Sequence, residues 1–208
     1  MKVLQASGLG KRFGRRVVFR KLDMSASGGA TVAITGPNGS GKSTLVRVLA
    51  GVMRPTRGTV SLTLGNTVIA PTDRPFRTGL VAPYLNVYDR FSPRENLQFI
   101  TRARGMDKPG VWIDEVLEQV GLRDRADDLV TTFSSGMLQR VRFAVALVVS
   151  PDVLLLDEPG SNLDDAGREI VRGVISSSRK AGRVVVVATN DAREADLCDE
   201  GVSITDFH

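Results

Sequence analysis

The nine residues from Gly36 to Thr44, GPNGSGKST, leave few folds open. They carry the spacing GxxxxGK[ST], follow the apolar run Thr31 to Ile34, and precede Leu45, Val48, Leu49 and Val52, which recur on one helical face. A strand, a glycine-rich turn and a helix in that order form a cradle for phosphate. Gly36, Gly39 and Gly41 admit positive φ and let backbone N–H groups approach an anion, while the following helix presents its positive end. The loop residues Gly36, Pro37, Asn38, Gly39, Ser40 and Gly41 are therefore expected to wrap the phosphates of a nucleoside triphosphate. Lys42 is expected on the β- and γ-phosphates, the Ser43 hydroxyl on Mg²⁺, and Thr44 on the α-phosphate. The ligands predicted are ATP and Mg²⁺.

The other apolar runs extend this unit. Val153 to Leu156 and Val184 to Ala188 are short and do not alternate, which is how strands covered on both faces of a parallel sheet read. Val141, Ala144, Val145 and Val148 share one helical face, and Ile170, Val171, Val174 and Ile175 another. The order predicts an α/β core. Between about Ser92 and Ser150 the alternation gives way to helix-like sequence, including Glu95 to Arg102 and Val111 to Val120, broken at Gly105, Pro109 and Gly110. This stretch reads as an inserted helical lobe.

A chain of 208 residues that is 42% hydrophobic is expected to form one domain, residues 1–208, with no room for an accessory domain. Cys198 is the only cysteine, which excludes an internal disulfide and fits a reducing compartment. No apolar run approaches the roughly 18 to 20 residues that span a bilayer, and the N-terminus lacks the order of a signal peptide. The net charge is +5, and six of the eleven residues from Lys11 to Lys21 are basic. That run fits either a solvated pair of strands, with Val17 and Phe19 alternating, or a bias toward phosphates or a membrane surface.

VLLLDEP, Val153 to Pro159, places two carboxylates at the C-terminal end of a buried strand. Asp157 is expected to hold Mg²⁺ through its water shell and Glu158 to polarise an attacking water. The structural alternative is that the pair caps a following helix.

FSSGMLQR, Phe133 to Arg140, lies upstream of that strand and SNLD, Ser161 to Asp164, lies downstream. With these strings in this order the chain resembles the ATP-binding subunits of ABC transporters. The first is similar to their signature motif and the second to their D-loop. The resemblance implies an α/β fold: a P-loop NTPase core with a parallel sheet, an N-terminal antiparallel β subdomain and an inserted α-helical lobe at about 92–150. It implies that Ser134, Ser135, Gly136 and Met137 bind the γ-phosphate held in another subunit, with Asp164 of the D-loop also at the shared nucleotide. Phe13 in KRFG, 23 residues before Gly36, lies where the family places an aromatic that stacks on adenine; packing of Phe13 in the core is the alternative. SPRENLQF, Ser92 to Phe99, resembles the entrance to the helical lobe, and GVMRPTRG, Gly51 to Gly58, the stretch after the phosphate-loop helix.

Two positions depart from the pattern. The family's Q-loop glutamine falls near Pro83 or Tyr84, where the chain has no glutamine; Tyr84 and Asn86 are the candidate substitutes. The family's last core strand ends in threonine and histidine, but Asn190 stands in that place and the only histidine is His208, so no imidazole is available nearby in sequence. Asn190 donates a hydrogen bond without becoming cationic, which predicts slow turnover.

The resemblance further implies an ATPase that energises transport. It would act as a homodimer or heterodimer of ATP-binding subunits, with a separate integral membrane permease, on the inner face of the cell membrane and with no nucleic acid partner. Its compact length most resembles the small exporter subunits, including the haem-exporter type of cytochrome c maturation. A non-transport ABC-type ATPase acting on ribosomes or DNA, or an ATP-binding regulator with little hydrolysis, are the rival readings.

Overall fold

The computed structural model describes residues 1–161 and 163–208; Asn162, within SNLD, lies outside the described residues. In chain order the elements are β1 (Lys2–Phe13), β2 (Arg16–Ser27), β3 (Thr31–Thr35), α1 (Lys42–Ala50), β4 (Arg57–Leu64), β5 (Thr67–Ile69), β6 (Thr78–Val81), α2 (Pro93–Ala103), α3 (Gly110–Gln119), α4 (Ser135–Val148), β7 (Val153–Asp157), α5 (Asp165–Lys180), β8 (Val184–Thr189), α6 (Ala192–Ala195) and β9 (Glu200–Ser203). They make two sheets. The first is antiparallel, in the order β2-β1-β4-β5, and the second is parallel, in the order β6-β7-β8-β3-β9.

The unalternating apolar strands are explained by where their two faces go. Along β7, Val153 and Leu155 enter a core shared with the antiparallel sheet and α1, whereas Leu154 and Leu156 enter a second core under the helices. β8 divides the same way, with Val184, Val186 and Ala188 on one side and Val185 and Val187 on the other. Successive side chains of a strand point to opposite faces, so a strand sandwiched between two cores must be apolar at every position. Each such buried valine or leucine contributes about 1.5–3 kcal/mol relative to exposure. The expected α/β architecture is the one the chain adopts.

α1 is shorter than its apolar stripe suggested. Leu45, Val48 and Leu49 are fully buried, but the helix ends at Ala50 because Gly51 takes φ +82°, a left-handed stop, and Val52 is left exposed. α2 starts on a capping box, in which Ser92 accepts from the Glu95 N–H and Glu95 accepts from the Ser92 N–H. α2 and α3 contribute Leu97, Ile113 and Leu117 to the same core as α4 and the helix-facing side of β7 and β8. Trp112 ties α3 to α4 by donating from Nε1 to the Val148 carbonyl at 2.8 Å.

Candidate functional site

The C-terminal ends of β3 and β7 lie on the same edge of the parallel sheet with β8 between them, the usual place for a ligand in an open α/β sheet. The loop after β3 carries Gly36, Gly39 and Gly41 at φ +148°, +79° and +106°. A Cβ on Gly41 would lie 2.4 Å from Val18 Cγ1, and one on Gly36 2.8 Å from Ile204 Cγ2. The loop is thus packed between β2 and the 3₁₀ turn Ile204–Phe207. Gly41 caps α1 without a side-chain hydrogen bond, and no acidic residue occupies the first turn, so α1 itself places no carboxylate against its N-terminal amides.

Lys42 is buried, and three oxygens surround its ammonium: Gly36 O at 2.8 Å, Pro37 O at 3.3 Å and Glu158 Oε1 at 3.1 Å. Glu158 follows β7 in a left-handed conformation, φ +48°, with its amide donating to Ala188 O at 2.8 Å. A non-glycine residue held there carries backbone strain of about 1–3 kcal/mol, maintained by its surroundings. Asp157 is 1% exposed, and neither carboxylate oxygen has a hydrogen-bond partner among the described residues. Burial pushes its pKa above the ordinary carboxylate value, opposed by the neighbouring Ser43 hydroxyl and the charges of Lys42 and Arg47. A buried carboxylate without partners, beside a serine hydroxyl, suits a hard divalent cation such as Mg²⁺.

A cavity of about 570 Å³ opens beside this group, lined by Asn38, Gly39, Gly41, Lys42, Ser43, Thr44 and Glu158 of the predicted set. Phe13 lines it too and is half-exposed, so the core-packing alternative for that ring does not hold. Asn190, at the end of β8, donates from Nδ2 to Asn38 Oδ1 at 2.7 Å, which joins it to the loop.

The family model described as ABC transporter matches residues 19–161, more than half of the chain and all of the loop, β7 and α4. The chain belongs to the ABC transporter family. This ABC chain is 32% identical over 205 residues to the daunorubicin resistance ATP-binding protein DrrA3 of Streptomyces coeruleorubidus, covering 98% of the chain and 65% of that relative. It is 35% identical to the Nod factor export ATP-binding protein I of Ralstonia nicotianae, covering 95% of the chain and 63% of the relative. With the ABC transporter ATP-binding protein NatA of Bacillus subtilis the identity is 31%, over 89% of the chain and 77% of the relative. The chain thus spans a little under two thirds of the length of the first two of these relatives. The fold is that of a dimeric bacterial ABC transporter cassette, at TM-score 0.83 and 22% identity over 97% of this chain and 94% of that one. A post-hydrolysis dimer of an ATP-binding cassette bound to ADP and Pi superposes at TM-score 0.84, again at 22% identity, over 96% and 93% of the two chains.

Not every predicted residue of the ABC chain reaches the cavity. Ser134, Ser135, Gly136 and Met137 form the start of α4 and are not among the residues that line it; Ser134 caps that helix by accepting from the Met137 N–H at 3.3 Å. Asp164 caps α5, accepting from the Gly167 N–H at 2.8 Å. Two ties run from α4 to the segment after β7: Gln139 Nε2 donates to Pro159 O at 3.1 Å, and Arg140 lies 3.8 Å from Asp164.

No imidazole lies nearby in sequence, but the fold brings one to the phosphate loop. His208, remote in sequence, places Nε2 3.0 Å from Ser40 O, because the turn Ile204–Phe207 folds back under the loop. Two further groups, Arg47 and Glu194, carry no sign in the sequence, and Arg47 packs on the candidate Tyr84. The Arg47 guanidinium lies 3.8 Å from the Tyr84 ring centroid, and burial raises the Tyr84 pKa, with Asp157 close enough to add to the rise. Glu194 on α6 is buried and accepts from the Gly160 N–H at 2.7 Å, while its second oxygen has no partner among the described residues. Burial raises the Glu194 pKa. The Asp-Ala-Arg-Glu-Ala run after β8 gives no sign of that contact, which joins residues 34 apart.

Proposed function

We propose that this chain is the ATP-binding and ATP-hydrolysing subunit of an ABC transporter. The buried Asp157 carboxylate, unpartnered among the described residues and beside Ser43 and Lys42, supports this reading most. Asp157 and Ser43 would hold Mg²⁺, which when bound neutralises charge on the phosphate oxygens. The loop amides from Gly36 to Gly41 and the N-terminus of α1 hold the phosphates, with Thr44 on the α-phosphate, and Phe13 offers its half-exposed face to the adenine.

Lys42 and Glu158 form an interlock in this scheme. Glu158 shares the Lys42 ammonium at 3.1 Å. A γ-phosphate oxygen that takes that proton donor releases the carboxylate to orient a water and accept its proton. Asn190, anchored on Asn38, donates to the γ-phosphate. Ser134 to Met137 lie outside the cavity of their own chain and act on the nucleotide of a second copy or a homologue, with Asp164 at the same junction. No helix among the described residues is long and apolar enough to cross a membrane, so transport would use a separate membrane-spanning partner, with this chain on its cytoplasmic side. The one domain 1–208, with residues 92–150 as its helical lobe, fits that arrangement.

Calorimetric titration with MgATP tests the site. Binding by the wild type, lost in Lys42→Ala and made Mg²⁺-independent and weaker in Asp157→Asn, is the expected result. MgATP binding undiminished in Lys42→Ala would overturn the assignment.

A further inference from the structure

Charge is divided unevenly along the chain. Up to Thr72 there are eleven lysines and arginines against one carboxylate, Asp23, although the whole chain is only +5. Four of these cations, Lys11, Arg12, Arg20 and Arg57, line a single groove of about 450 Å³ on the β1–β2 hairpin, outside the nucleotide cavity. An ordinary solvated strand pair would send successive residues to opposite faces. Here the β1–β2 register shifts between Leu9 and Lys11 and again between Lys11 and Arg12, and both of these consecutive residues line the groove. Bulges re-aim side chains in this way.

The groove has the features of an anion site. None of its four cations forms an ion pair among the described residues. Lys11 donates to Arg54 O at 2.7 Å and Arg20 to His208 O at 3.2 Å, but no acceptor engages the guanidinium of Arg12 or of Arg57 among the described residues. Thr56 Oγ1 accepts from the Arg12 backbone N–H at 3.2 Å, which leaves its hydroxyl proton to donate. Phe19, fully buried, closes the floor.

We propose that this groove is a second anion site that takes a phosphate-bearing ligand, with the Arg12 and Arg57 forks and the Thr56 hydroxyl on the phosphate oxygens. The same chemistry is offered by a soluble polyphosphate and by an anionic phospholipid headgroup at the membrane surface. With an apolar floor and a volume of about 450 Å³, the groove admits either one.

The test uses the full chain saturated with ADP, so that the phosphate loop is occupied. One arm titrates inorganic tripolyphosphate by calorimetry. The other measures flotation with vesicles of phosphatidylglycerol in phosphatidylcholine against phosphatidylcholine alone. The double variant Arg12→Gln/Arg57→Gln is compared with Arg15→Gln/Lys21→Gln, which removes the same charge from exposed positions of the hairpin outside the groove. Binding in either arm, weakened about tenfold or more by the first pair and less than about twofold by the second, is expected of a built site, whereas diffuse attraction depends on charge alone. The arm that responds identifies the source. Equal weakening by the two pairs, or no binding in either arm, overturns the proposal. Nucleotide affinity serves as the folding control, since neither pair touches the nucleotide cavity.

Discussion

Gly41→Ala separates two costs that the phosphate loop conceals. Gly41 is held at φ +106°, where an L residue is strained by about 1–3 kcal/mol. Its new Cβ would also lie 2.4 Å from Val18 Cγ1, an overlap whose relief by side-chain and backbone shifts costs about 1–3 kcal/mol more. A combined loss of about 4 kcal/mol, the middle of that range, lowers Tm by about 8–16 °C in a chain of this size. Val18 is only half-buried, so Val18→Ala alone should cost less than Gly41→Ala. The double variant removes the overlap but keeps the backbone strain. Urea unfolding of the wild type, both single variants and the double should therefore give a coupling of about 1–3 kcal/mol, as expected for side chains in contact. A loss below about 0.5 kcal/mol for Gly41→Ala, or an equal loss in both backgrounds, would refute the account of how β2 clamps the loop.

Other outcomes follow from the same geometry. Glu158→Gln should keep MgATP binding and lower phosphate release by about 10²–10⁴-fold, the usual worth of a general base; normal hydrolysis would remove Glu158 from the mechanism. Asn190→Ala should slow hydrolysis about fivefold, the equivalent of one hydrogen bond of about 1 kcal/mol, and an unchanged rate would show that this position does not sense phosphate. Glu194→Gln should flatten the pH dependence of stability. The wild-type carboxyl has its pKa raised by burial, so the folded chain holds that proton more tightly than the unfolded chain. The stability this gives is present at acid pH and fades as pH rises through the ordinary glutamate range toward the raised folded value. Gln keeps an acceptor for the Gly160 N–H, and urea midpoints that still fall with pH in the variant would assign the slope to another group.

The parts of this molecule legible in its sequence are those set by local rules. The loop from Gly36 to Thr44 was readable because its glycines, lysine and serine stand at fixed spacing between a strand and a helix. β7 and β8 were readable because burial on both faces demands unbroken apolar residues. The end of α1 is not legible from its stripe, because Val52 matches the helical period while Gly51, one position earlier, supplies the stop. His208 on Ser40 and Glu194 on Gly160 were invisible for a different reason: each contact depends on how a distant turn or short helix docks, and no periodicity encodes that. The bulges that gather Lys11 and Arg12 on one groove likewise leave no mark in a run that reads simply as basic.

The ties from Gln139 to Pro159 and from Arg140 to Asp164 bind the first turns of α4, beside Ser134 to Met137, to the segment that begins at Glu158. In a pair of such chains, whatever the N-terminus of α4 feels from its neighbour passes within two turns, through these adjacent ties, to the segment that carries the carboxylate of its own chain. Occupancy of one chamber would then alter the nucleotide affinity of the other, and for binding free energies linkage makes that influence equal in both directions. The two chambers would fire as a coordinated engine, with cooperative rather than independent dependence on nucleotide concentration.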